Sequence, residues 1–312
     1  MNNLLNIGAE ALRKAALNQE AKDFLLGNEL LFKTVKKAAN RYIGGETLDE
    51  TIAKVIAENK NGFKCSMEYM GENIKTEVEA NEATIEFIRI CHQIINQNLF
   101  STVSLDLSHI GLGISRDLCL HNLNQICEAA AAGNIEVIIS AESTNQTDNI
   151  ISVYQQAAKQ HTNLSMTLQA YLYRSVDDFE ALLNIPGRIR IVKGAFETEK
   201  GLSIPRGAEL DKVYLGYVDR LLAAKHKCSI ATHHHEIQQE AKKLISAYQT
   251  DKNLYEFESL YGIQTPQLGV LKNEGHPTKM YFVYGKEWYL YLCNRIAEYP
   301  MNLFQALADI VE

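Results

Sequence analysis

Short apolar runs alternate along the chain with longer stretches in which apolar residues recur every three or four positions. The short runs predict strands at 63–67, 103–107, 137–140, 164–168, 188–192, 228–232, 254–260 and 278–282. Helical spacing occupies 82–97, 117–132, 150–160, 176–184, 209–226 and 237–249, with a last helix over 288–303. Strands separated by helices argue for βαβ units and a parallel sheet. Eight such units fit an α/β fold of the (β/α)8 TIM-barrel type better than an open sheet. No G-x-G-x-x-G turn follows the first strand, which weakens a dinucleotide-binding alternative. The first sixty residues read as helical, and Glu46-Thr47-Leu48-Asp49 opens a helix leading into the first strand. The expected organisation is an N-terminal helical arm, residues 1–60, on a single barrel, residues 61–312.

Composition narrows the function classes. With 31 basic and 38 acidic residues the net charge is −7, which disfavours a nucleic-acid partner. No apolar run reaches the roughly 20 residues of a membrane helix. Glu10, Arg13 and Lys14 interrupt the N-terminal apolar stretch, so a signal peptide is not expected and a cytoplasmic setting is. Cys65, Cys91, Cys119, Cys127, Cys228 and Cys293 are scattered without a C-x-x-C pair, against a disulfide framework or a zinc ribbon.

Chemistry in such barrels sits at the C-terminal ends of the strands. That rule selects Glu68 and Glu72, Asp106, Ser140 and Glu142, Gln169 and Tyr171, Lys193 and Phe196, Thr232 and His233, Glu258, and Tyr281 through Gly285. On the fifth strand Arg190 and Val192 share a face, and Lys193 stands where the strand opens into Gly194-Ala195. Two cations beside a small-residue turn suit a flat anionic or electron-accepting ring; the plainer alternative is a solvated lysine. In the last helix Tyr291, Asn294, Arg295 and Glu298 fall on one face, a binding wall or an exposed ion pair. Thr232-His233-His234-His235-Glu236 invites a metal reading, yet adjacent extended histidines point to opposite faces. A metal-free site is therefore expected, with His233 as a cofactor contact.

The motifs then resemble those of the proline dehydrogenase family, in its short bacterial form. They are Gly45-Glu46-Thr47-Leu48-Asp49, Met70-Gly71-Glu72, Asp117 to Asn122, Leu168 to Arg174, Arg190 to Ala195, Ala231-Thr232-His233, Leu260 to Ile263, Tyr284-Gly285-Lys286 and Arg295 to Glu298. The resemblance implies a (β/α)8 barrel holding FAD non-covalently and a hydride transfer from a C–N bond to the flavin. A membrane quinone is the implied acceptor, with peripheral contact at the inner membrane. Carried over by position, Gln169, Arg190, Val192, Lys193, Gly194, Ala195, Thr232, His233 and Glu298 would hold FAD. Asp106, Arg190, Tyr281, Tyr291 and Arg295 would act in catalysis.

The substrate layer departs from the family pattern. Asp106 replaces a lysine, Ser140 an aspartate, Asn294 the first of two arginines and Phe196 a tyrosine. Glu72 thereby loses the arginine with which its family counterpart pairs. The four positions together change from a net +1 to −1, so the pocket formed with Tyr281, Tyr291 and Arg295 is expected to favour a proline-like or cyclic amine other than free L-proline. Genuine L-proline dehydrogenation and a flavin-binding protein without catalysis are the alternatives.

Overall fold

The computed structural model describes residues 7, 8, 11, 12, 14, 18–71, 74–196, 198–298 and 302–311. Eight strands, β1 (Lys64–Tyr69), β2 (Ser101–Leu105), β3 (Val137–Ile139), β4 (Leu164–Gln169), β5 (Ile189–Val192), β6 (Cys228–Ala231), β7 (Tyr255–Leu260) and β8 (Thr278–Tyr284), close in sequence order into a barrel. Every pairing is parallel, and β8 returns to β1 in the register Ser66↔Tyr281 and Glu68↔Val283. The expected barrel and all eight strands are present.

The two-residue period of a strand divides its side chains between two environments. Met67, Val103, Leu105, Ile139, Met166, Leu168, Ile191, Ile230, Phe257, Met280 and Phe282 belong to the apolar core shared with the surrounding helices. Their alternate neighbours face the barrel axis and are mostly polar. Ser66 hydrogen-bonds Ser104 across 2.8 Å, and Arg190 reaches from β5 across to Ser104 on β2 at 3.1 Å. At the floor Lys279, fully buried, lies 2.5 Å from Glu256 and 3.0 Å from Glu258. Arg188 binds Glu136 at 3.0 Å, and Ser229 donates to Glu256 at 2.6 Å. Burial alone would raise the Glu256 carboxyl; Lys279, Arg188 and Lys64 outweigh it and hold the group well below the ordinary carboxylate range.

Helix starts follow local chemistry. Thr47 with Glu50, and Thr76 with Glu79, form capping boxes for Leu48–Lys60 and Glu77–Asn96. The second helix begins five residues before the sequence expectation of 82 because its first turn, Glu77-Val78-Glu79-Ala80, is largely polar and carries no periodicity. A helix at Thr265–Asn273 has no counterpart among the expected elements: Pro266 and Gly269 read as breakers, and only Leu268 and Leu271 are buried. The single helix expected over 288–303 is two, Trp288–Glu298 and Asn302–Val311, and the intervening sequence carries Pro300.

Helix Leu48–Lys60 gives Leu48, Ile52 and Val55 to the barrel core. Farther toward the N-terminus, Ala38, Ala39, Tyr42 and Ile43 pack with Val283, Trp288, Leu292 and Ile296 in a second apolar cluster. The arm thus buttresses helix Trp288–Glu298, whose other side faces the strand ends. Trp288 Nε1 donates to Glu46 at 2.6 Å across this contact. All six cysteines are buried and free. Among the described residues, no helix is long and apolar enough to cross a membrane.

Candidate active site

A cavity of about 600 Å³ opens at the C-terminal ends of the strands, a size suited to a cofactor-sized organic molecule. Helix Trp288–Glu298 supplies one wall. From β4 to β6 the cavity is lined by Gln169, Arg190, Val192, Lys193, Gly194, Ala195, Thr232 and His233. Asp106, Ser140, Tyr281, Tyr291, Asn294, Arg295 and Phe196 line it as well. Glu72 lies outside the described residues, as does the side chain of Glu298. The other residues expected to bind cofactor or substrate meet in this one space, whereas the strand-end candidates Glu142, Tyr171, Phe282, Tyr284 and Gly285 do not line it.

Two buried polar atoms on the β4–β6 side have no protein partner among the described residues. Gln169 donates through Nε2 to the Glu142 carbonyl at 3.0 Å, leaving Oε1 unpaired. His233 Nδ1 is likewise buried and unpaired. Burial first, and Arg295 second, push the His233 pKa down to about 4, so the imidazole is neutral at physiological pH. Unsatisfied buried polar atoms are costly and point to a ligand. An isoalloxazine edge, rich in N and O atoms, fits both. Lys193 is no solvated strand end: Nζ donates to Asp211 at 2.5 Å and to His234 Nδ1 at 2.9 Å. Gly194 has φ +108°, and a Cβ there would meet the Tyr171 ring at 2.2 Å, so only glycine carries the backbone over that ring.

Arg190 forms the floor. It is 4% exposed and donates to Thr167 at 2.8 Å, Ser104 at 3.1 Å, Glu258 at 3.1 Å and Ser140 at 3.1 Å. Its guanidinium lies 5.1 Å from the Tyr281 ring centroid. Ser140 and Tyr281 both donate to one oxygen of Glu68, Oε2. Ser140 therefore does not simply remove a carboxylate from the pocket: β1 delivers one to the same place. On the roof Arg295 stacks 5.0 Å from the Tyr291 ring centroid.

Sequence reasoning singled out Glu68 as a strand-end acid but not its bonds, because Ser140 and Tyr281 lie 72 and 213 positions away. Arg206, which donates to the Gly194 carbonyl at 2.9 Å, and the apolar wall of Met70, Leu260 and Leu290 were missed. Met70 and Leu260 stand in the motifs quoted above but were given no cavity role there, and Leu290 carries no sequence signal distinguishing it from core. Glu142 has a structural role, accepting from Leu107 N at 2.8 Å and Ser108 N at 3.3 Å at the start of the short helix Leu107–Ile110. Among the described residues, no three His, Cys, Asp or Glu side chains gather as a metal-binding group.

That short helix also places His109 against Tyr69 and Phe87 beside the cavity-lining Gly71. His109 Nδ1 bonds the Tyr69 carbonyl at 3.0 Å, and a carbonyl only accepts, so the ring donates there. Burial pushes its pKa down to about 4 from an ordinary 6.5. The unfolded chain then binds the proton more readily, so stability is complete above pH 6.5 and drains as pH falls toward 4, by about 3 kcal/mol. Unfolding titrations between pH 7 and 4 should show His109→Asn losing stability less steeply, by about one proton. Equal slopes would dismiss this account.

Comparison with known proteins places these features in a family. The model of the family described as proline dehydrogenase matches residues 51–302. Proline dehydrogenase 1 of Bacillus subtilis (strain 168) is 30% identical over 294 residues, covering 93% of this chain and 97% of its own length. Proline dehydrogenase of Deinococcus radiodurans is 29% identical, covering 85% of this chain and 87% of its own. Among solved structures, proline utilization A from Bdellovibrio bacteriovorus superposes with a TM-score of 0.81 at 19% identity. The match covers 94% of this chain and 36% of that longer protein, a likeness of fold.

Proposed function

The chain belongs to the proline dehydrogenase family, and from that premise we propose that it oxidises free L-proline to 1-pyrroline-5-carboxylate. It is a flavin-dependent oxidoreductase acting on CH–NH donors, and its cofactor is FAD. When bound, FAD accepts a hydride from the carbon next to the substrate nitrogen. The expectation that free L-proline is disfavoured gains no support from the curated relatives, whose names all specify proline.

One observation carries the reading: a single cavity presents the Arg295 guanidinium together with the carboxylates of Asp106 and Glu68. A zwitterionic imino acid needs such a pair, one cation for its carboxylate and an anion for its ammonium. Tyr281 and Tyr291 offer flat walls to a pyrrolidine ring, and helix Trp288–Glu298 limits access of water. Gln169, His233 and Lys193 would hold the flavin. Arg190, which lines the same cavity, would supply a positive charge favourable to the electron-rich reduced ring. A membrane quinone is the acceptor in this reading, which sets the enzyme in the cytoplasm, at the inner-membrane surface.

A second reading, an amine without a free carboxylate, is favoured by Asp106 and by Asn294, which puts an amide where a second guanidinium would strengthen carboxylate binding. Anaerobic loss of the flavin's visible band separates the two. Bleaching by millimolar L-proline, with pyrrolidine and prolinamide far slower, supports the first. Faster bleaching by prolinamide or pyrrolidine replaces it with the second. If no amine bleaches bound FAD, the oxidation itself is refuted.

A further inference from the structure

We propose that Glu68 is the proton acceptor for the substrate nitrogen, taking the ammonium proton onto Oε1 before hydride leaves the neighbouring carbon. The inference rests on the amine oxidation proposed above and adds a catalytic residue to it.

A secondary amine is protonated at neutral pH, and its nitrogen has no lone pair to form C=N until that proton is gone. Some group in the cavity must take it. In the step, the N–H bond breaks, an O–H bond forms on Oε1, and the electron pair stays on nitrogen. Subsequent loss of hydride to the family's flavin leaves C=N, with no further reactant.

Geometry singles out Glu68 among the acids. Both hydroxyl donors, Ser140 and Tyr281, bind Oε2, and Oε1 has no protein hydrogen bond among the described residues. The carboxylate is thereby oriented while one oxygen is kept for a ligand, and Glu68 lines the cavity. Glu258 is held by Arg190 and Lys279. Glu142 is occupied with the amides of Leu107 and Ser108. Asp106 stands at the end of β2, more exposed than the 7% of Glu68, and suits the holding of charge better than its removal.

The charged and titratable groups around Glu68 are Arg190 from β5, Tyr281 from β8, Glu258 from β7, and Glu142 beyond β3. Asp106 acts on Tyr281 from β2. Burial raises the Glu68 pKa, helped by Glu258 and opposed by Ser140, Tyr281 and Arg190. A carboxylate with enhanced proton affinity is a better base near neutral pH.

Glu68→Gln keeps the shape and an acceptor for Ser140 and Tyr281, and FAD retention reports that the fold survives. Rapid-mixing flavin reduction by L-proline should fall about a hundred- to a thousandfold at neutral pH and recover as alkaline pH deprotonates the free amine. Tyr281→Phe removes one bond to the carboxylate, so the acid limb of the rate profile should move to higher pH. Calorimetry gives a readout independent of turnover, using 5,5-dimethylproline, which has no hydrogen on the carbon that donates hydride. On the acid limb, where free Glu68 is protonated, binding in two buffers of different ionisation heat should release one proton from the wild type and none from the Glu68→Gln variant. Wild-type pH profile and proton count in Glu68→Gln would overturn the assignment. Failure of the wild type to be reduced by any amine would instead strike the proposed function.

Discussion

Lys279→Met will destabilise the barrel by about 3–5 kcal/mol, more than any surface substitution. The ammonium is fully buried between Glu256 at 2.5 Å and Glu258 at 3.0 Å, and methionine fills its volume without its charge. A buried ion pair need not stabilise relative to an apolar pair, but removing one partner leaves the other charge uncompensated at low dielectric. Here two carboxylates are left, and Arg190 and Arg188 are already committed to them and to Glu136. Lys243→Met, which breaks the exposed pair with Glu240, provides the contrast and should cost under about 0.5 kcal/mol. Urea unfolding followed by far-ultraviolet circular dichroism reads the barrel. The lone tryptophan, Trp288, reports instead on the cluster between the arm and its helix. A Lys279→Met midpoint matching that of Lys243→Met would show that the axial charges contribute little to folding.

The same axial network marks the border of what the chain discloses by itself. Strands were legible because each sets apolar residues such as Ile189 and Ile191 against the helices, and that alternation is local. The gathering of Gln169, Arg190, Lys193 and Thr232 was legible because barrel topology sends every strand end to one face, and Arg295 because helical spacing sets it beside Tyr291 and Asn294. What stayed hidden is partnership across the axis. Arg190 meets Ser104 from 86 positions away, and Ser140 meets Glu68 from 72, through contacts that closure of the barrel alone creates. Counting Ser140 as a lost negative charge was reasonable position by position, yet β1, two strands away, supplies a carboxylate. Converting Ser140 to aspartate would set two acids against each other rather than rebuild a simpler pocket. The helix at Thr265–Asn273 escaped for the opposite reason: packing sustains it despite a weak local pattern.

Arg295→Met will separate the readings of the substrate. If Arg295 clamps the carboxylate of L-proline, its loss should raise the apparent dissociation constant for L-proline by about 2–4 kcal/mol, roughly thirty- to a thousandfold. Pyrrolidine, which has no carboxylate, should reduce the flavin at nearly its original efficiency. Arg295→Lys keeps the charge but not the planar fork that stacks on Tyr291, and should fall between the two. Asn294 precedes Arg295 on the helix and offers no charge to take over, so the loss has no internal remedy. His233 provides a check on placement: Arg295 helps hold its pKa down, so removing the guanidinium should let the imidazole titrate at higher pH by nuclear magnetic resonance. Equal losses for L-proline and pyrrolidine would mean that methionine had disturbed the cavity as a whole. Unchanged binding of L-proline, with His233 shifted, would place Arg295 in the cavity and the carboxylate elsewhere.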